Sequence, residues 1–198
     1  VHRRDDGELA MDATALLEAR RALGLGALDV TERYEQAEAT YTFAAHAAHV
    51  AVDPDTGGIE ILSYATVEDF GRCVNPMTVH GQATGGAVQG IGGAFLEEFA
   101  YGADGQPLSA TFADYLMPTA TDVPAIRSVA LENTPSKTNP LGFKGAGEGA
   151  IVAPGAVIAN AVSDALSSRG IEITELPMSP TNLRRLIAAS ENSDGGQT

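Results

Sequence analysis

Phe143-Lys144-Gly145-Ala146-Gly147-Glu148-Gly149-Ala150 sets one carboxylate among small residues, directly ahead of an apolar run over 150–168 that reads as a helix. Glycines at 145, 147 and 149 let a backbone approach a bulky ligand and adopt φ > 0 at no steric cost. A lone Glu at a helix start suits the positive end of the helix dipole. It equally suits a catalytic base beside a cofactor. The stretch also satisfies G-x-G-x-x-A, with acidic Glu172 further on, but a phosphate-cradling turn needs a strand just before it. Here Asn133 to Pro140 precedes it, a loop with two prolines, so a nucleotide-binding module is a minor alternative.

Upstream, Val79-His80-Gly81-Gln82-Ala83-Thr84-Gly85-Gly86-Ala87-Val88-Gln89-Gly90-Ile91-Gly92-Gly93 continues to Glu98 as a helix. Glycine costs a helix interior about 1 kcal/mol relative to alanine. Glycines three and four apart therefore imply close packing against another backbone or a large ligand. Before this helix, Ala39–Val52 and Ile59–Val67 read as strands joined by the turn Asp53-Pro54-Asp55-Thr56-Gly57-Gly58. Asp53, Asp55 and Gly58 occupy calcium-loop positions, but Tyr64 stands where the closing Glu belongs, and the turn reading wins. Asp69 to Pro76 is a loop, and Ser128–Leu131 a short strand. Further helices are expected over 8–23, with Gly24 and Gly26 as stops, and over Thr181–Ala189, capped by Ser179-Pro180. The result is an α+β fold of mixed helices and β-hairpins. It is divided as an N-terminal helix and linker (1–37), a main domain (38–189) and a frayed tail (190–198).

Composition excludes several functions. The 198 residues carry a formal net charge of −14, which opposes nucleic-acid binding. One cysteine, Cys73, rules out an internal disulfide framework and a multi-cysteine metal or iron–sulfur site held by this chain alone. No apolar run reaches the roughly 18 residues of a membrane span, and Val1 to Asp6 show no signal peptide, so the expected location is cytoplasmic. His46 and His49, three apart in a strand, point to opposite faces and read as packing or surface residues. His80 has no evident catalytic partner, and no G-x-S-x-G elbow is present.

Three motifs in register, Asp69-Phe-Gly-Arg-Cys-Val-Asn-Pro76, Gly81-Gln82-x-x-Gly85-Gly86 with Gln89-Gly-Ile-Gly92, and Lys144-Gly-Ala-Gly-Glu148, carry a resemblance. With the Val52–Gly57 turn and Leu176–Pro180, they resemble the C-terminal part of the molybdopterin-binding large subunit of the xanthine dehydrogenase/aldehyde oxidase family, over roughly residues 38–187. The resemblance implies a molybdenum hydroxylase acting on an aldehyde or N-heterocycle carbon with water-derived oxygen. Glu148 is then the general base toward the metal-bound hydroxyl, Gln82 hydrogen-bonds the pterin, and Gly81 and Gly147 leave room for the cofactor. Lys144 is a cofactor-side residue, either a charge partner of Glu148 or a surface lysine. The implied cofactor is molybdopterin, in bacteria usually the cytosine dinucleotide form, which holds the metal itself, so the resemblance implies no protein metal ligands. FAD and [2Fe-2S] centres reside on partner subunits, and a companion chain supplies the rest of the molybdopterin site. The family subunit is several times longer than this chain, and Gly149-Ala150 departs from its usual pattern after the Glu. The chain thus reads as part of a split or truncated subunit, with a non-catalytic remnant as the rival.

Overall fold

The computed structural model describes residues 12–194, apart from 28, 30, 36 and 37. The chain divides into two compact units, Val1–Gln36 and Ala37–Thr198. In the first unit, α1 spans Ala13–Ala22. Asp12 caps it, its carboxylate accepting from the Ala15 amide at 2.7 Å, which satisfies one orphan donor of the first turn. At the other end the Gly24 and Leu25 amides donate to the Arg21 and Arg20 carbonyls. Residues 8–11, the expected beginning of this helix, lie outside the described residues.

The second unit is built on a hairpin. Strands β1 (Phe43–Asp53) and β2 (Gly58–Asp69) pair antiparallel from Phe43↔Asp69 to Asp53↔Gly58. The turn holds because Asp53 accepts from the Asp55 amide at 2.9 Å and from the Thr56 hydroxyl at 2.7 Å. Gly57 sits at φ 74°, where a side chain would be strained, and a Cβ there would lie 2.2 Å from the Pro180 carbonyl. Strand β3 (Ile126–Leu131) runs parallel to β2 on its other edge. Between them comes α2, Pro76–Phe95, capped by the Asn75 side chain, which accepts from the Met77 and Thr78 amides. Helix α3 (Pro154–Ala165) and α4 (Pro180–Asp194) complete the unit. The architecture is α+β, as the sequence pattern implied.

Val79, Ala83, Ala87 and Ile91 recur at helical spacing and form the buried face of α2. They meet Tyr64 of β2, Ile158 and Val162 of α3, and Leu183 and Ile187 of α4 in one core. Each fully buried large aliphatic side chain contributes about 1.5–3 kcal/mol.

Several expected boundaries move, and α2 runs Pro76–Phe95 rather than Val79 to Glu98. Helix α3 begins at Pro154 rather than 150, because proline restricts the residue before it and lacks the amide an interior position needs. Residues 147–153 are bends and turns, so Glu148 is not in a helical first turn. Helix α4 runs on through Ser190 to Asp194, where fraying was expected. Its last turns are tied down by Glu191, which pairs with Arg169 at 2.9 Å and Arg184 at 3.4 Å. Residues 195–198 of the expected tail lie outside the described residues. Among the described residues no helix is long and apolar enough to cross a membrane.

Candidate functional site

The segment 142–145 is pinned to the sheet end. The Lys144 amide donates to the Phe70 carbonyl at 2.9 Å, and the Arg72 amide to the Gly142 carbonyl at 3.0 Å. Gly71 is at φ 65°, and a Cβ there would meet the Gly142 carbonyl at 2.3 Å, so this crossing requires glycine. Further along, Thr42 donates its hydroxyl to the Gly145 carbonyl, and the Ile151 amide donates to the Glu148 carbonyl at 3.3 Å.

Lys144 is neither of the things its sequence suggested. Its ammonium is buried, 3.4 Å from the Asp69 carboxylate, 2.6 Å from the Thr134 hydroxyl and 4.6 Å from the centre of the Phe43 ring. The side chain turns away from Glu148 because Asp69 already gathers amide donors from Gly71, Asn133 and Thr134 and needs a cation to complete the cluster. Burial raises the Asp69 carboxyl, but those hydrogen bonds and the Lys144 charge outweigh it and hold the group below the ordinary carboxylate range.

On the solvent side the picture is open. Gly81, Gln82, Gly85 and Gln89 lie on the exposed face of α2, so Gln89 is not the buried polar group that a fully packed helix would make it. Gly147 and Glu148 are exposed too, and the Glu148 carboxylate makes no ion pair among the described residues. Helix and loop meet where the Gln82 Oε1 lies 4.0 Å from the position a Cβ on Gly147 would take. Gln82 and the Gly147 backbone are thereby brought together, with Glu148 next along the loop and Gly81 next to Gln82 on α2. At Gly81, Gly85 and Gly145 a Cβ would meet nothing within 4 Å. None of Gly145, Gly147 and Gly149 has positive φ; what they supply is space, not backbone conformation.

This shelf fits a large planar cofactor: glycines leave the space that side chains would fill, and one carboxamide offers both donor and acceptor to a heterocycle. Among the described residues no three His, Cys, Asp or Glu side chains gather as a metal site. The phosphate-cradle geometry is missing, since Phe143 makes only an isolated bridge to Gly71 and α3 starts well after the glycines.

Among the groups around this loop, the buried Glu68 escaped the sequence pattern. Glu68 and Asp69 close β2 and are both buried, Glu68 at 1% exposure. Strand alternation could have flagged Glu68, which shares a face with Tyr64 and Thr66. His46 bonds Tyr64 and Thr66, whereas His49 is exposed, in keeping with opposite faces. His80 meets the Ser128 hydroxyl at 3.2 Å. Cys73 is half-buried against the core, and burial together with Glu132 pushes its thiol up.

Residues 4–124 match the family model of a molybdopterin cofactor-binding domain. The chain is 44% identical over 143 residues to the 6-hydroxypseudooxynicotine dehydrogenase complex subunit gamma of Paenarthrobacter nicotinovorans, covering 72% of this chain and 18% of that protein. It is 37% identical over 170 residues to the nicotine 6-hydroxylase large subunit of the same organism, covering 86% and 21%. Among solved structures, Cu,Mo-CO dehydrogenase superposes with a TM-score of 0.76 at 30% identity, over 80% of this chain and 20% of that one. Quinoline 2-oxidoreductase from Pseudomonas putida 86 gives 0.69 at 43% identity, over 72% and 18%. The chain therefore spans about a fifth of the length of these relatives. With its α+β fold and its glycine-lined shelf, the chain belongs to the molybdopterin cofactor-binding family of the xanthine dehydrogenase/aldehyde oxidase type.

Proposed function

We propose that this chain forms the Gln82–Glu148 side of a molybdenum hydroxylase active site, which oxidises an aldehyde or N-heterocycle carbon using water-derived oxygen. The observation that carries the reading is the meeting of Gln82 with the Gly147-Glu148 turn on an exposed shelf, from elements far apart in sequence. When bound, the molybdenum cofactor supplies the two-electron oxidation. Gln82 orients the pterin through its carboxamide, Gly81 and Gly147 admit the cofactor, and the Glu148 carboxylate takes up the proton released as the oxygen nucleophile forms. Lys144 serves from behind, anchoring the loop through Asp69 rather than touching the cofactor. The relatives named for nicotine, 6-hydroxypseudooxynicotine and quinoline favour an aromatic N-heterocycle as substrate.

A companion polypeptide carries the remainder of the molybdopterin site in this reading, with [2Fe-2S] and FAD subunits taking the electrons. The cofactor is the cytosine dinucleotide form, and the compartment is the cytoplasm, which a lone thiol at Cys73 suits. Glu148→Gln in the assembled enzyme is expected to abolish turnover while molybdenum and pterin content stay unchanged. Full activity in that variant, or metal-free protein with every companion subunit present, would overturn the proposal. A nucleotide-binding module is disfavoured by the missing strand before Gly145.

A further inference from the structure

Behind the Glu148 turn lies a buried carboxyl that the proposed chemistry does not use. Glu68 Oε1 accepts from the Thr66 hydroxyl at 3.0 Å. Thr66 in turn meets His46 Nε2 at 3.1 Å, and His46 Nδ1 meets the Tyr64 hydroxyl at 2.8 Å. The donor directions follow from a count of protons. Thr66 spends its only hydrogen on Glu68, so His46 must carry its proton on Nε2 and accept from Tyr64 at Nδ1. Burial keeps the imidazole neutral by lowering its pKa, which agrees with that tautomer. Tyr64, His46 and Thr66 therefore donate in one direction and fix the Glu68 carboxyl at Oε1.

The other oxygen has no such tie. Glu68 Oε2 is buried and lacks a hydrogen-bond partner among the described residues. It lies 2.6 Å from where a Cβ on Gly149 would be, with the Thr42 methyl at 3.3 Å from the same point. The residue after Glu148 thus rests directly on this oxygen. We propose that Glu68 is a positioning residue for Glu148: its buried carboxyl, held by the Tyr64–His46–Thr66 chain, is the seat on which the Gly149 backbone sets the height of the catalytic turn. A Cβ at 149 would force the Glu68 carboxyl to give way, which suits the Gly found there.

The inference rests on Glu148 as the base, and the test separates the two. In the assembled molybdenum enzyme, Glu68→Ala is expected to lower kcat about tenfold to a hundredfold, with KM and molybdenum content within about twofold of wild type. Amide exchange over 147–151 should quicken about tenfold while residues 87–92 of α2 stay protected. Glu68→Gln, of nearly the same shape, should retain kcat. If Glu68→Ala disturbs folding, a size-complementation pair replaces it: Gly149→Ala should lose activity, and adding Glu68→Asp, one methylene shorter, should restore it. Unchanged exchange over 147–151 in Glu68→Ala, or no rescue in the pair, would sink the seat. If Glu148→Gln is fully active yet exchange in Glu68→Ala still quickens, the seat stands and the assignment of the base falls.

Discussion

Helix α2 carries two glycine pairs with the same spacing and opposite fates. A Cβ on Gly90 would lie 2.6 Å from Pro154 Cγ, and one on Gly86 would lie 3.0 Å from Ala150 Cβ, so this face is packed close against the first residue of α3 and the turn before it. On the other face a Cβ at Gly81 or Gly85 would meet nothing within 4 Å. Both pairs forgo helix propensity. The first recovers it from tertiary packing within the chain. The second has no return inside the described residues, which is what a surface reserved for a ligand or companion chain would look like.

The sharpest way to break the contrast is to loosen the loop that the closed side supports. Lys144→Met leaves the Asp69 carboxylate buried without its cation and should cost about 3 kcal/mol, since breaking a buried pair strands the remaining charge. Thermal unfolding would read this as a fall of several degrees, roughly 2–4 °C per kcal/mol at this size. Gly90→Val comes next: the clash with Pro154 should cost about 2 kcal/mol by overpacking. An unchanged melting temperature there would mean that the closed face is not closed.

Gly81→Ala and Gly85→Ala test the open face and should move the other way. Each is expected to stabilise the isolated chain by up to about 1 kcal/mol, while Gly81→Ala lowers pterin retention in the assembled enzyme. Destabilisation by either would show that something within the chain already fills the space.

The smallest effect is a pH dependence. Burial raises the Glu68 carboxyl above its ordinary 4.5, against the hydrogen bond from Thr66. Its contribution to stability is therefore full below 4.5 and lost as pH rises through the raised native value. Asp69, held below 3.8, behaves oppositely: its contribution is present above that value and lost as pH falls through the lower native one. Glu68→Gln cannot ionise, so its melting temperature relative to wild type should climb as pH rises above 4.5. A flat difference would mean that Glu68 titrates alike in the folded and unfolded chain.

Much of the local structure was legible in residue order. The hairpin follows from the Asp53–Gly58 turn, and α2 is legible from Val79 onward, whereas its Asn75 cap and first residues stand in what the sequence reads as a loop. The pairing of Gln82 with the Gly147-Glu148 turn entered through motif resemblance, and the fold brings those residues together. Lys144 misled because the one opposite charge close to it in sequence is Glu148, whereas its neighbours in space are Asp69, Thr134 and Phe43. Glu68 was passed over because a strand-end acid looks like a solvated one until the sheet face it occupies is known to be covered.

Sequence by itself determined the elements, the acidic and cysteine-poor chemistry and the motifs of the molybdopterin family, because short-range periodicity, capping and turn propensity act within a few residues. Only the tertiary structure decided which glycines are packed and which are open. It alone committed the lysine to Asp69 and set a buried carboxyl behind Gly149. Those outcomes depend on which surfaces exclude water and which backbones approach within a side chain's width, and neither is a property of any stretch read alone.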